Sequence, residues 1–190
     1  MRVQSRKAIF AARYIDLEAA AQVPGAEWEA FQFRFLNNTG RFGIQVKARQ
    51  IAWSFTAAVD AVVDGILNPD TPHIFVSINQ DEAKEKIRYA KNIIEATDPD
   101  KRPRLAQDSQ TSLEFANGSR LISHPCRPPR GKPRARIYYD EMAHYQSGLD
   151  REVYRAGLPA TAKGDGYIRI SYAASMSDIQ RALGIMERVL

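Results

Sequence analysis

One stretch constrains this chain more than any other: Ile44-Gln45-Val46-Lys47-Ala48-Arg49-Gln50-Ile51-Ala52-Trp53-Ser54-Phe55. It opens as a short apolar strand, turns through a charged loop, and runs into a helix carrying Ala57, Ala58, Val59, Val62, Val63, Ile66 and Leu67. A strand, a lysine-bearing loop and a serine at a helix start form the layout of a phosphate-binding loop. Backbone N–H groups at the helix N-terminus hold phosphate oxygens, a lysine neutralises them, and a serine hydroxyl ligates magnesium. The usual G-x-x-x-x-G-K-[ST] string is absent. Trp53 stands at its lysine position, Ala52 at its last glycine, and Lys47 lies at the front of the loop. A strand–loop–helix with one lysine also serves as plain scaffold, so the stretch leaves both readings open.

The second half of the pattern lies well downstream. Arg136-Ile137-Tyr138-Tyr139-Asp140-Glu141 reads as a buried strand ending in two acids. In a nucleotide hydrolase such a strand lies beside the phosphate loop; its Asp holds the magnesium shell and its Glu polarises the attacking water. Two solvated acids at a strand end would look the same in isolation. Both motifs in this order, each at a strand end, support one another.

Together these residues carry a family resemblance. Lys47-Ala48-Arg49-Gln50-Ile51-Ala52-Trp53-Ser54 resembles the deviant Walker A loop of phage large terminase subunits. In one branch of that family the lysine stands at the front of the loop and an aromatic replaces the usual lysine. Arg130-Gly131 followed by Ile137-Tyr138-Tyr139-Asp140-Glu141-Met142-Ala143-His144 resembles the family's Walker B region. The resemblance covers roughly residues 28 to 175 and departs from the family at Ala52, where glycine is the norm.

The resemblance implies an ATP- and Mg²⁺-dependent motor driving double-stranded DNA into procapsids. Lys47 and Arg49 would meet the phosphates, within a nucleotide-binding loop of Lys47, Ala48, Arg49, Gln50, Ile51, Ala52, Trp53 and Ser54. The metal would fall to Ser54 and Asp140, and catalysis to Glu141 with Lys47 and Arg49. Gln32 matches the glutamine that reads adenine, an amide offering donor and acceptor together. Ser171 and Ser175 stand where the family has a coupling motif that senses the γ-phosphate. A portal protein, a small terminase subunit and a ring of identical copies are the implied partners, and the host bacterial cytoplasm the implied setting.

Length and composition agree with this reading without choosing it. A chain of 190 residues suits one α/β domain. No apolar run approaches the ~20 residues that span a membrane, and the N-terminal apolar stretch is too interrupted for a signal peptide. The lone Cys126 excludes an internal disulfide, and three scattered histidines make no zinc pattern. A net charge of +5 favours a polyanionic partner. Mixed-sign runs such as Asp81-Glu82-Ala83-Lys84-Glu85-Lys86 read as a solvated helix face. The stretch from Ser119 to Arg136 is different: Arg120, Arg127, Arg130, Lys132, Arg134 and Arg136 occur there without an acid, among four prolines. It reads as a stiff basic loop that contacts DNA phosphates, or else as a solvated connector.

In chain order, periodicity predicts helices over 8–21, 27–37, 81–96 and 178–189, and strands over 73–79 and 167–174. Residues 113–123 read as a hairpin turning at Asn117-Gly118, and 97–110 as a surface excursion. A loop and a short helix are expected over 145–157. The β-α-β-α alternation implies a mostly parallel central sheet with flanking helices, and the resemblance implies that its architecture is that of a P-loop NTPase of the ASCE type. Residues 1–190 are expected to be one ATPase domain, with a helical segment over 1–40, a core over 41–175 and the start of a C-terminal helix over 176–190. No further cluster of acids remains for the nuclease domain of large terminases. The competing reading is a degenerate terminase-like domain that binds DNA or packaging proteins without hydrolysis, favoured by Ala52 and Trp53. A generic helicase-type motor finds no string of its own. Alanine tolerates a left-handed backbone poorly. Ala52 is therefore expected either to be right-handed or to leave its loop collapsed without ligand.

Overall fold

The computed structural model describes residues 5–46, 52–129, 134–146, 149–161 and 166–172. Lys47, Ala48, Arg49, Gln50, Ile51, Arg130, Lys132, Ser175 and the helix expected over 178–189 lie outside the described residues.

The described elements are helices α1 (Arg6–Tyr14), α2 (Leu17–Ala21) and α3 (Ala30–Leu36), strand β1 (Phe42–Val46), helix α4 (Trp53–Leu67), strand β2 (Pro72–Ser77) and helix α5 (Gln80–Glu95). They continue with strands β3 (Leu105–Asp108), β4 (Ser112–Phe115), β5 (Arg120–Pro125) and β6 (Arg136–Tyr139), a 3₁₀ turn (Met142–His144), helix α6 (Leu149–Thr161) and strand β7 (Tyr167–Tyr172). The expected helix over 8–21 is two helices. The Asp16 side chain accepts the Ala19 N–H, capping α2 after an extended Ile15. The surface excursion over 97–110 contains a strand, β3. Its burial pattern is exposed throughout, so no apolar alternation marked it.

The sheet has seven strands in the order β1-β7-β6-β2-β5-β4-β3. Pairing is parallel from β1 to β5 and antiparallel from β5 to β3. β7 lies between β1 and β6, so the strand of the two acids is one place removed from the loop strand.

Alternation along the strands divides the core in two. Phe75 and Tyr138 face the layer of α1 to α5, whereas Ile74, Val76, Ile137 and Tyr139 face α6. α4 is buried from Phe55 to Gly65, which explains its nearly unbroken apolar sequence. Two acids, Asp60 and Asp64, are carried inward with it. Asp60 accepts the hydroxyls of Tyr138 and Tyr167 and pairs with Lys7, and Asp64 pairs with Arg136 and lies 3.4 Å from His73. Buried acids require such partners.

Candidate functional site

The parallel strands β1, β7, β6 and β2 all end at the same rim, where open α/β sheets bind their ligands. Register decides which side chains meet there. Tyr139 is opposite Ile170, so Asp140, the next residue after β6, comes level with Ser171 of β7. Its N–H is held by the Val76 carbonyl at 3.0 Å. Ser54, in the first turn of α4, points at the same spot.

The contacts are dense. Ser54 Oγ donates to Asp140 Oδ2 at 2.6 Å, and Ser171 Oγ donates to Asp140 Oδ1 at 2.8 Å. The Glu141 N–H in turn donates to Ser171 Oγ at 3.0 Å. Asp140 and Ser54, read from sequence as the metal pair, are therefore adjacent, and Ser171 bridges Asp140 to the backbone of Glu141. Glu141 takes a left-handed backbone, φ 51°, as β6 turns into the 3₁₀ segment. Such a conformation is uncommon in a non-glycine residue and clusters at functional sites.

One member of this constellation went unread in the sequence. Lys86 ends a mixed-sign run that reads from sequence as a solvated face. It is 2% exposed, and its ammonium lies 2.9 Å from Asp140 Oδ2 and 3.0 Å from Glu82 Oε2. Burial presses its pKa down, but Asp140 and Glu82 raise it above the ordinary lysine value. Burial likewise raises the Asp140 carboxyl, yet Lys86, Ser54 and Ser171 hold it below the usual range. The signal was positional. Lys86 sits on the stripe of Ala83, Ile87, Ala90, Ile93 and Ile94 that faces the core, and a charge on that stripe marks a buried partner.

Above this cluster opens a cleft of about 570 Å³, lined by Gln32, Ala52, Ser54, Phe55, Tyr89 and Glu141 among others. Phe55 and Tyr89 meet edge to face at 5.9 Å on its wall. α4 begins at the cleft with no side-chain cap, so its first N–H groups have no partner within the helix and favour an anion there. Its N-cap, Ala52, is left-handed at φ 54°. This rules out the first of the two expected alternatives, a right-handed Ala52: the backbone takes the conformation for which glycine is usual, at the cost of Cβ crowding. The second, a collapsed loop, concerns residues 47–51, outside the described residues.

Trp53 is 2% exposed, packs against Phe35 and donates its indole N–H to Gln45. It thus anchors the helix to β1 and does not take over the work of a lysine. Gln32 lines the cleft, but its Oε1 accepts the Glu29 N–H and its Nε2 donates to Thr56 Oγ1 at 3.2 Å. One N–H and one lone pair of the amide are left for a ligand.

The six basic residues read as one DNA-facing loop separate. Arg120 lies in β5 and grips Glu114 through both Nε and Nη2. Arg136 is 4% exposed, paired with Asp64 and set over the Tyr167 ring, so its guanidinium faces the core. This corrects the expectation that Arg136 contacts DNA, because a buried paired guanidinium presents nothing to a phosphate. Arg127 and Arg134 are exposed. Arg130 and Lys132 fall outside the described residues.

The sheet and its rim define a fold class: a mostly parallel α/β sheet with flanking helices, in which a serine at a helix start is hydrogen-bonded to the acid that follows strand β6. Solved structures narrow the fold. The HK97 bacteriophage large terminase superposes with a TM-score of 0.71 at 12% identity over 99% of this chain. The large terminase ATPase domain of Thermus phage P74-26 gives 0.61 at 17% identity, covering 81% of this chain and 68% of that one. A mutant of the same domain gives 0.57 at 15% identity. The chain therefore has the fold of a large terminase ATPase domain, and it spans 42% of the HK97 protein's length. No family model and no curated relative matches the sequence. Among the described residues no helix is long and apolar enough to cross a membrane.

Proposed function

We propose that this domain binds and hydrolyses ATP with Mg²⁺ and acts as the motor that drives double-stranded DNA into a procapsid. The observation that carries the reading is the hydrogen bond from Ser54 to Asp140 beneath an uncapped helix start that opens on the cleft. Magnesium is held by one or two carboxylates together with waters and substrate phosphates. One buried carboxylate that already holds a cation, the Lys86 ammonium, and one hydroxyl beside it fit that requirement. When bound, Mg²⁺ would neutralise charge on the β- and γ-phosphates.

The remaining work falls to the chain's own groups. Ser54 and Asp140 hold the metal, and the first N–H groups of α4 hold phosphate oxygens. Glu141 faces the cleft and orients the attacking water, its backbone fixed by Ser171. Gln32 offers its remaining donor and acceptor to the base. Lys47 and Arg49 are the cationic arms that meet the β- and γ-phosphates, and Ser171 with Ser175 passes the phosphate state onward. Arg127, Arg130, Lys132 and Arg134 contact DNA phosphates, a portal and a small subunit complete the assembly, and activity belongs to a ring of copies.

A second reading, a domain that binds DNA or packaging proteins without hydrolysis, is favoured by the left-handed Ala52, which crowds the site glycine would open. Titration with ATP and Mg²⁺, with and without duplex DNA, separates the two. Magnesium-dependent nucleotide binding with DNA-stimulated phosphate release is expected. DNA binding with no affinity for nucleotide would establish the second reading.

A further inference from the structure

We propose that Lys86 is the resident cation of the Ser54–Asp140 site, which the metal displaces from Asp140 while Glu82 retains it. The inference rests on the reading of Ser54 and Asp140 as the magnesium pair and adds a positioning residue to that pair.

Two cations competing for one carboxylate are what force the exchange. A carboxylate oxygen accepts about two hydrogen bonds. Asp140 Oδ2 already takes Ser54 Oγ at 2.6 Å and Lys86 Nζ at 2.9 Å. The other oxygen takes Ser171. A divalent cation, or a water in its shell, that approaches Asp140 from the Ser54 side finds Oδ2 saturated and an ammonium beside it. Ser54 can give up its bond to Asp140 by turning its hydroxyl lone pairs to the metal. That frees one lone pair of Oδ2, but Lys86 has none to offer the metal and its ammonium is repelled by it, so Lys86 moves away.

A destination is built in. Glu82, one turn earlier on α5, accepts the same ammonium at 3.0 Å, and its side chain is 52% exposed. A lysine stem that runs through the core can swing its head toward that outer partner while its methylenes stay packed. Lys86 therefore keeps the Asp140 carboxylate paired and aimed at Ser54 before the metal arrives. It also sets how strongly the metal must bind to take its place.

The test uses a fluorescent ADP derivative and reads the ratio of its affinities with Mg²⁺ and with chelator, in wild type, Lys86→Met and Glu82→Gln. The two substitutions are expected to act in opposite directions. Without Lys86 no cation needs displacing and Asp140 is left unpaired, so the magnesium effect rises by about tenfold, the size of one charge-assisted hydrogen bond. Lys86→Met is also expected to lower the melting temperature in chelator and to recover most of that loss with Mg²⁺ and ADP. Without the Glu82 carboxylate a displaced Lys86 has no anionic partner, so the magnesium effect falls several-fold. Should Lys86→Met not fold, the fall in Glu82→Gln decides the matter. A magnesium effect that is abolished by Asp140→Asn but unchanged in both substitutions would make Lys86 purely structural and overturn the inference alone. A wild-type protein whose ADP affinity ignores Mg²⁺, or that binds no ADP, overturns the metal reading and this inference together.

Discussion

Ser54 and Asp140 stand 86 residues apart in the chain, yet their side chains meet in a hydrogen bond of 2.6 Å. The two halves of the motif are thereby joined through α4, β6 and the register of β7, and each can be tested through the other.

Asp140→Asn leaves the Lys86 ammonium buried with only Glu82 as an anionic partner. Breaking a buried ion pair costs about 3–5 kcal/mol, and the surviving Glu82 contact places this variant at the lower end. Ser54→Ala removes one hydrogen bond from an acid that keeps two others, and is expected to cost about 1 kcal/mol. Urea denaturation measures both. Equal losses would mean that Lys86 and Asp140 are not an effective pair in solution.

Glu141→Gln preserves side-chain shape but cannot polarise a water as a carboxylate does. ATP affinity is expected to stay within twofold or so of wild type, while turnover falls by about 10²–10⁴-fold, the usual worth of a general base. Parallel losses in binding and turnover would assign Glu141 to binding instead.

The two ends of this site were not equally legible in the sequence. Asp140 and Ser54 could be read because each ends or begins a periodic element and borders a run of apolar residues. Asp60 and Asp64 could not: their helix is apolar almost throughout, and only the packing shows where these charges point. Lys86 left one trace, its place on the apolar stripe of α5, inside a run of mixed charge that hides it. The parallel sheet followed from the alternation of elements, whereas β3 was hidden because an exposed edge strand needs no apolar pattern. Arg136 looked like part of a basic loop because its buried partner, Asp64, lies on a helix 72 positions earlier in the chain. Charge runs report composition, but partners are set by topology.

Asp64 supplies a pH test independent of the site. Burial pushes its carboxyl up to about 6, against the pull of Arg136 and Lys7. A carboxyl raised in the folded state makes folding take up a proton between its unfolded value, near 3.8, and 6. Its contribution is fully present below the unfolded value and is lost as pH rises through 6. Relative to Asp64→Asn, which does not titrate, the wild-type protein should gain up to about 3 kcal/mol of stability as pH falls from 7 to 4. The comparison cancels the ordinary acid loss shared by both proteins. A stability difference that is flat with pH would show that Arg136 keeps Asp64 ionised throughout.

Ala52 is the sharpest point at which this chain departs from the glycine of the terminase loop. Its φ of 54° and ψ of 27° place a Cβ in the left-handed region, immediately before the first turn of α4. That conformation costs an L-residue about 1–2 kcal/mol. Glycine removes the cost but adds roughly 0.5–1 kcal/mol of unfolded-state entropy. Ala52→Gly should therefore stabilise the free protein by between zero and about 1.5 kcal/mol, the difference between these opposing terms. The effect on the ligand should be larger than the effect on the fold. Ala52 lines the cleft at the helix start, so deleting its Cβ lets phosphate oxygens approach the N–H groups of Trp53 and Ser54 more closely. Tighter ATP binding or faster hydrolysis is expected, with a melting temperature equal to or slightly above wild type. A variant that loses more than about 1 kcal/mol of stability would show that Ala52 is not left-handed in solution, since only a right-handed alanine loses by becoming glycine.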